Sequence, residues 1–390
     1  MKKILLIFTL FCSIIASAND SIYVSIFCTA QGREIYELEG HAAMRIKVDG
    51  KCDYTISWGM FDFNSPNFVY RFLKGETEYF CGMIDTERFL GEYRYEGRTV
   101  FEFPLNVPQS VCQNIAYLLN INLLPENRVY RYNYVKDNCS TRPMEIIEQA
   151  LGTRIHYENA KPELTTFREV MAEYHKKYPW QQFGIDLALG PGIDYKISPR
   201  EKTFAPVLLT EMLPTSTYTL GGQTFPLCGE KIVHGNPQAD ITADPTPLFL
   251  TPIFIAWLLF GITLAFTVWD IKRKKVCRIF DTVLYLHIAV QTLLLAFLIF
   301  ISTHEATSPN YNFLWLNPLS LIIPVTIWIK KAKVLSISAI IINFVALISY
   351  LAIVAAGVQT INAAFYPLVF MVLLRNCSYL YIAKWQTRKD

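Results

Sequence analysis

The chain has 390 residues, of which 52% are hydrophobic, and a formal net charge of +3. It is long enough for two domains and too apolar for a disordered protein. Its excess of Lys and Arg sits beside long apolar runs, which indicates membrane anchoring and gives no reason to expect a nucleic-acid partner.

Met1-Lys2-Lys3, the apolar stretch Ile4 to Ile15 and Ala16-Ser17-Ala18 have the basic, apolar and small-residue parts of a secretory signal. Residues 1–18 are therefore expected to be removed, the apolar core being short for a membrane span. Residues 19–228 read as an exported globular domain. Ser21 to Thr29 alternates as a strand, and so does Ala42 to Val48, with Asp49-Gly50 as a hairpin turn and Tyr54 to Trp58 returning. Arg98 to Leu105 is a further predicted strand, and Ser110 to Leu123 an amphipathic helix with Val111, Ile115, Leu118 and Leu119 on one side. The Tyr-rich run Arg128 to Val135 reads as β structure, followed by a helix from Pro143 to Leu151 that Gly152 stops. This is an α+β pattern: a small antiparallel sheet with helices against it. Residues 229–247, rich in Gly, Asn, Asp, Thr and Pro, read as a linker.

Residues 248–390 read as an all-α transmembrane helix bundle. Apolar runs cover about Leu248–Trp269, Ile279–Ile301, Asn317–Ile329, Val334–Ala356 and Ile361–Ile382, giving about five transmembrane helices. The third run is short and carries Pro318 and Pro324, so a kinked or re-entrant segment is an alternative there. Lys272-Arg273-Lys274-Lys275, Lys330-Lys331-Ala332-Lys333 and the Lys384/Arg388/Lys389 group follow alternate spans. Basic loops stay cytoplasmic, so the N-terminal domain is expected outside, as the signal also requires. Arg375 near the end of the last span must face the bundle or snorkel, and its position favours snorkelling.

The chemistry concentrates in Asp137-Asn138-Cys139-Ser140-Thr141-Arg142, where a cysteine sits in polar surroundings at a strand-to-helix junction. Backbone N–H groups and the helix dipole favour a thiolate there. Far upstream, His41 opens a strand and offers a base, and such a pair suggests covalent acyl chemistry. Asp62, with Asp53 behind it, is the candidate to orient the imidazole, although either could be an ordinary turn aspartate. Backbone N–H groups beside Cys139 and Ser140 are expected to hold an oxyanion, with Asn138 and Arg142 as neighbours in the same block. His304, in a loop returning to the side of Cys139, is a candidate for a lipid-facing site. Exported Cys28, Cys52, Cys81, Cys112, Cys139 and Cys228 are able to pair in an oxidising compartment; their spacing matches no zinc or disulfide framework, and most lie in apolar surroundings that suit buried free thiols. No metal or cofactor is expected.

The segments Gly40-His41-Ala42-Ala43-Met44-Arg45, Trp58-Gly59-Met60-Phe61-Asp62-Phe63, Phe72-Leu73-Lys74-Gly75-Glu76-Thr77-Glu78-Tyr79 and Asp137 to Arg142 resemble the Lnb-type N-terminal periplasmic domain family. Asn312-Phe313-Leu314-Trp315 is similar to a loop of that family, which adds Asn312 as a candidate substrate-binding residue. The resemblance implies an inner-membrane lipoprotein N-acyltransferase with a phospholipid acyl donor and a diacylated lipoprotein acceptor. It also implies a permuted papain-like fold, since His before Cys is similar to the order in lecithin:retinol acyltransferase-type enzymes. The alternatives are an NlpC-type periplasmic cysteine peptidase acting on cell-wall peptides and a non-catalytic membrane sensor.

Overall fold

The computed structural model describes residues 21–240 and 244–387, except for the side chains of 386 and 387. The expected signal sequence lies outside these residues. The chain forms two compact units, neither continuous in sequence. The first comprises the described parts of Met1–Asn64, Glu78–Pro162 and Ser198–Thr242; the second comprises Ser65–Thr77, Glu163–Ile197 and the described part of Ala243–Asp390.

The first unit is built on an antiparallel sheet. Its strands are β1 (Ile22–Thr29), β2 (Ala42–Val48), β3 (Cys52–Met60), β4 (Tyr79–Asp85), β5 (Val100–Pro104) and β6 (Val129–Tyr130). A separate small sheet joins β7 (Ile155–His156), β8 (Thr217–Leu220) and β9 (Gln223–Pro226), and β10 (Ile232–His234) completes the larger one in the order β10-β5-β1-β2-β3-β4-β6. The β2–β3 hairpin has the expected register, Val48 facing Cys52 and Ala43 facing Ser57. Alternation sends Met44, Ile46 and Val48 inward, while Arg45 on the other face pairs with Asp53 at 2.6 Å and with buried Glu102 at 3.0 Å. Helices Gln109–Leu123 and Thr141–Leu151 pack on each other and against strands of this sheet. Val111, Ile115 and Leu119 are buried in the first, and Met144, Ile147 and Leu151 in the second, the four-residue stripe of a one-sided helix. Gly152 closes the second helix at φ 68°, a left-handed conformation glycine adopts without strain.

Two stretches differ from the sequence expectation. Only Val129–Tyr130 of the Tyr-rich run joins the sheet. At Asn133 the side-chain oxygen accepts from the N–H groups of Val135 and Lys136, and this local turn outcompetes the ladder. The expected linker contains β10, which pairs with β5 through the β-branched Ile232 and Val233, while His234 reaches Glu102 at 2.7 Å.

Among its described residues the second unit contains four helices long and apolar enough to cross a membrane: Pro252–Arg273, Arg278–Phe300, Lys330–Ala355 and Phe365–Trp385. The third apolar run forms only a short helix, Leu319–Thr326, with Pro324 inside it. At 1.5 Å per residue that helix extends about 12 Å, far short of a hydrocarbon core of about 30 Å. Helices Phe68–Lys74, Phe167–Tyr174 and Pro179–Ala188 belong to the same unit. Phe183 and Leu187 pack into the cluster formed by Trp315, Ile340, Tyr350 and Phe365.

Arg375 does not snorkel. It is 1% exposed and held by Asp281 at 2.6 Å, Asp270 at 2.7 Å and Thr267 at 3.0 Å. The two acidic partners lie on different helices, and pairing inside the bundle removes the reason to reach for the interface. Arg375→Ala is expected to destabilise this unit by about 3–5 kcal/mol, because two buried carboxylates lose their counter-charge. Thermal unfolding of detergent-solubilised protein measures this; an unchanged Tm would rule out a structural role for the cluster.

Candidate active site

Cys139 and His41 both lie in the first unit, and local chain geometry explains each position. Gly40 has φ 76°, and a Cβ there would press on the Thr29 carbonyl oxygen, so the residue before His41 must be glycine for this turn. The His41 N–H donates to Thr29 Oγ1 at 2.9 Å, and its carbonyl accepts from the Thr29 N–H at 2.8 Å. These bonds lock His41 at the mouth of β2. Its ring Nε2 meets Ser57 Oγ at 2.7 Å.

Cys139 stands two residues before helix Thr141–Leu151 and is 7% exposed. Its sulfur accepts hydrogen bonds from the Ala42 N–H and the Tyr132 side chain. Ala42 directly follows His41, so the sulfur meets the β2 backbone at the residue next to the histidine. The opposite wall is β3, whose pairing with β4 slips between Ser57 and Met60. Gly59, at φ 85°, lies inside this bulge; a Cβ there would come within 3.0 Å of the Tyr132 ring and 3.9 Å of Cys139 Cβ. The bulge and the missing side chain make room for the tyrosine and the thiol together.

The electrostatics differ from the thiolate expected at a helix start. Burial pushes the Cys139 thiol up to about 11, against the pull of the Ala42 N–H and the Tyr132 side chain, and the Glu39 carboxylate adds to the rise. Burial, and then the Arg98 charge, push His41 down to about 4. Desolvation therefore outweighs the helix dipole, and at neutral pH the pair rests as thiol and neutral imidazole. Arg98 is itself held by Glu37 and Glu96, both at 2.9 Å. Tyr134 donates to Glu39 on the other side of the thiol.

The other candidates occupy different roles. Asp62 is exposed and its Oδ1 accepts from the Asn64 N–H at 2.8 Å; the hydrogen-bond partner of the His41 ring is Ser57. Asp53 belongs to the Arg45 ion pair. Asn138 ties the turn before the helix: its Oδ1 accepts from both the Ser140 and Thr141 N–H groups at 2.9 Å, and its amide donates to Tyr134 and Phe204 carbonyls. That bond occupies the Ser140 N–H expected to serve an oxyanion, and the Ser140 hydroxyl donates to the Thr203 carbonyl. Arg142 pairs through two bonds with Asp137 and lies 3.5 Å over the Tyr130 ring.

His304 and Asn312 lie in the second unit. His304 Nε2 meets the Phe72 carbonyl at 2.9 Å, tying its loop to helix Phe68–Lys74. Asn312 is fully buried, donating to the Asp186 and Leu187 carbonyls and accepting from Tyr350 and Trp315. Its amide is thus committed to internal contacts. The described cysteines are all free thiols, and the described residues contain no cluster of three or more His, Cys, Asp or Glu able to hold a metal.

Sequence reasoning missed Ser57, Tyr132, Glu39 and Tyr134. Ser57 and Glu39 carry no local signal, and the tyrosines look like sheet residues until the turn at Asn133 directs one to the thiol.

An antiparallel α+β unit with a buried cysteine, in one chain with four helices able to span a bilayer, defines a membrane-associated protein with a thiol centre. Residues 15–173 match the Lnb N-terminal periplasmic domain and residues 244–387 match the Lnb transmembrane domain, so the chain belongs to the Lnb-type family. No curated protein and no solved structure matches it. Membership in this family is consistent with a membrane-associated periplasmic enzyme.

Proposed function

We propose that this protein is a lipoprotein N-acyltransferase that uses Cys139 as nucleophile and His41 as base. The observation that carries the reading is the sulfur held by the Ala42 N–H and Tyr132, one residue from a histidine oriented by Ser57. As Cys139 attacks the ester carbonyl of a phospholipid, its proton passes to His41 Nδ1. The Tyr132 hydroxyl and the Cys139 N–H, which donate to the sulfur at rest, turn to the oxyanion as it forms. When the tetrahedral intermediate collapses, His41 returns the proton to the departing glycerol oxygen, releasing lysophospholipid and leaving an acyl thioester. The α-amine of a diacylglyceryl-cysteine lipoprotein then attacks; His41 takes the amine proton and passes it to the Cys139 sulfur as the amide forms. The donor ester supplies the driving force for both transfers.

The spanning helices fit two lipid substrates, because anchoring raises their effective concentration at the thiol. On this reading the protein lies in the inner membrane with its thiol domain in the periplasm and its basic loops in the cytoplasm. The experiment is an assay of purified protein with labelled phosphatidylethanolamine and a diacylated lipopeptide. An amide-linked acyl product is expected; its absence together with muropeptide cleavage would replace the transferase by a cell-wall peptidase. Tyr132→Phe retains the ring and removes one donor, so kcat is expected to fall about 100-fold with KM little changed. A loss confined to KM would assign Tyr132 to substrate binding alone.

A further inference from the structure

The aromatic residues around Cys139 form a connected series inside the first unit. The Tyr132 ring borders Gly59 and the thiol. It stacks on Tyr79 with centroids 4.6 Å apart, Tyr79 meets Phe61 at 5.3 Å, and Phe61 meets Phe63 at 4.5 Å. Tyr36 closes the far end, 6.0 Å from Phe63 and 6.3 Å from Phe61. The series runs from a buried sulfur to open surface, where Phe63 is 57% and Tyr36 52% exposed, with Ile35 beside them at 54%. Contiguous exposed aromatic surface is uncommon without a use, and this patch connects ring by ring to the reacting atom. The hydroxyl of Tyr132 is at the sulfur, while Phe61 and Phe63 farther along offer only hydrocarbon before Tyr36 at the exposed end. That order matches an ester-derived acyl group, with a carbonyl at the thiol and an apolar chain leading away.

We propose that Tyr132, Tyr79, Phe61, Phe63 and Tyr36 seat the fatty chain of the acyl group carried on Cys139, and that Phe61 and Phe63 set its preferred length. This rests on the acyltransferase reading and adds the residues that select the chain. The rings flank an extended hydrocarbon in the way apolar enzyme pockets measure a substrate by its methylenes, where a single methylene changes selectivity by about tenfold or more. The Tyr132 and Tyr79 end contacts every chain, and the Phe61, Phe63 and Tyr36 end contacts only the distal methylenes of long ones.

The test uses the full-length protein in bilayer nanodiscs containing equal amounts of phosphatidylethanolamine with long and with medium acyl chains. Intact-mass spectrometry reads the adduct on Cys139, released by hydroxylamine to verify the thioester. Wild type is expected to carry predominantly the long chain. Phe61→Ala and, separately, Phe63→Ala are expected to lower the long-to-medium ratio at least about tenfold. Because Phe63 is exposed, its truncation tests the proposal even where Phe61→Ala weakens folding. Tyr95→Ala, at a 94% exposed position outside the series, is the control and should leave the ratio unchanged. An adduct whose chain-length ratio is the same in wild type, Phe61→Ala and Phe63→Ala overturns the inference and leaves the acyltransferase reading standing. No adduct on wild-type Cys139, with or without peptide cleavage, overturns both.

Discussion

Cys139→Ala should abolish amide formation, lowering kcat by at least about 10⁴-fold, without disturbing the fold. Removing the nucleophile of a covalent mechanism eliminates the intermediate, and what remains is background from bound, oriented substrates. The substitution is small, and the bonds that hold the turn into the helix run between Asn138 and Thr141, not through the thiol. The mutant should therefore unfold at the wild-type temperature and bind phospholipid. The measurements are turnover in the lipid assay and Tm in the same preparation. Full activity in a folded Cys139→Ala protein would eliminate covalent catalysis and favour a non-catalytic role.

His41→Ala should lower thioester formation by about 10³–10⁴-fold, and the accompanying pH dependence separates a neutral pair from a preformed ion pair. With His41 pushed down to about 4 and Cys139 up to about 11, the reactive neutral pair is present between these values. As pH falls through about 4, His41 gains a proton and can no longer accept one, so the rate drops. As pH rises through about 11, the thiol ionises and the imidazole has no proton to give the leaving oxygen. Thioester formation should accordingly be flat from about pH 5 to 9; this half-reaction excludes the acceptor amine, whose ordinary pKa of about 7.7–8 would otherwise enter the profile. Iodoacetamide should alkylate Cys139 slowly at pH 7, increasingly fast with rising pH, and almost as fast in His41→Ala. Rapid, pH-independent alkylation near neutrality that collapses in His41→Ala would instead reveal a thiolate–imidazolium pair. The mechanism would then start from charge already separated.

The polar environment of Cys139 in the sequence suggested a thiolate, and the fold changes that assignment. Asn138, Ser140 and Thr141 turn their polar groups toward backbone and away from the sulfur. What surrounds the thiol is buried protein, and the desolvation cost of a charge there exceeds the pull of a helix N-terminus. The same spatial argument explains which side chain meets the His41 ring. Asp62 stands in the right motif, but its carboxylate serves the turn at Asn64, whereas Ser57 faces His41 because the β2–β3 register sets them together.

Local rules were sufficient wherever one segment decides its own conformation. The β2–β3 hairpin followed from alternation around Asp49-Gly50, helix Thr141–Leu151 from its apolar stripe and Gly152, and the spanning helices from their length and hydropathy. The placement of His41 at a strand start and of Cys139 just before a helix was also readable, because each is set by its local sequence. Tertiary structure alone decided the burial of Cys139 and His41, the contacts of Ser57 and Tyr132, the pairing of Arg375 and the recruitment of β10 into the sheet. The reason is that these depend on burial and on contacts between residues distant in sequence, and neither quantity exists until the chain has folded.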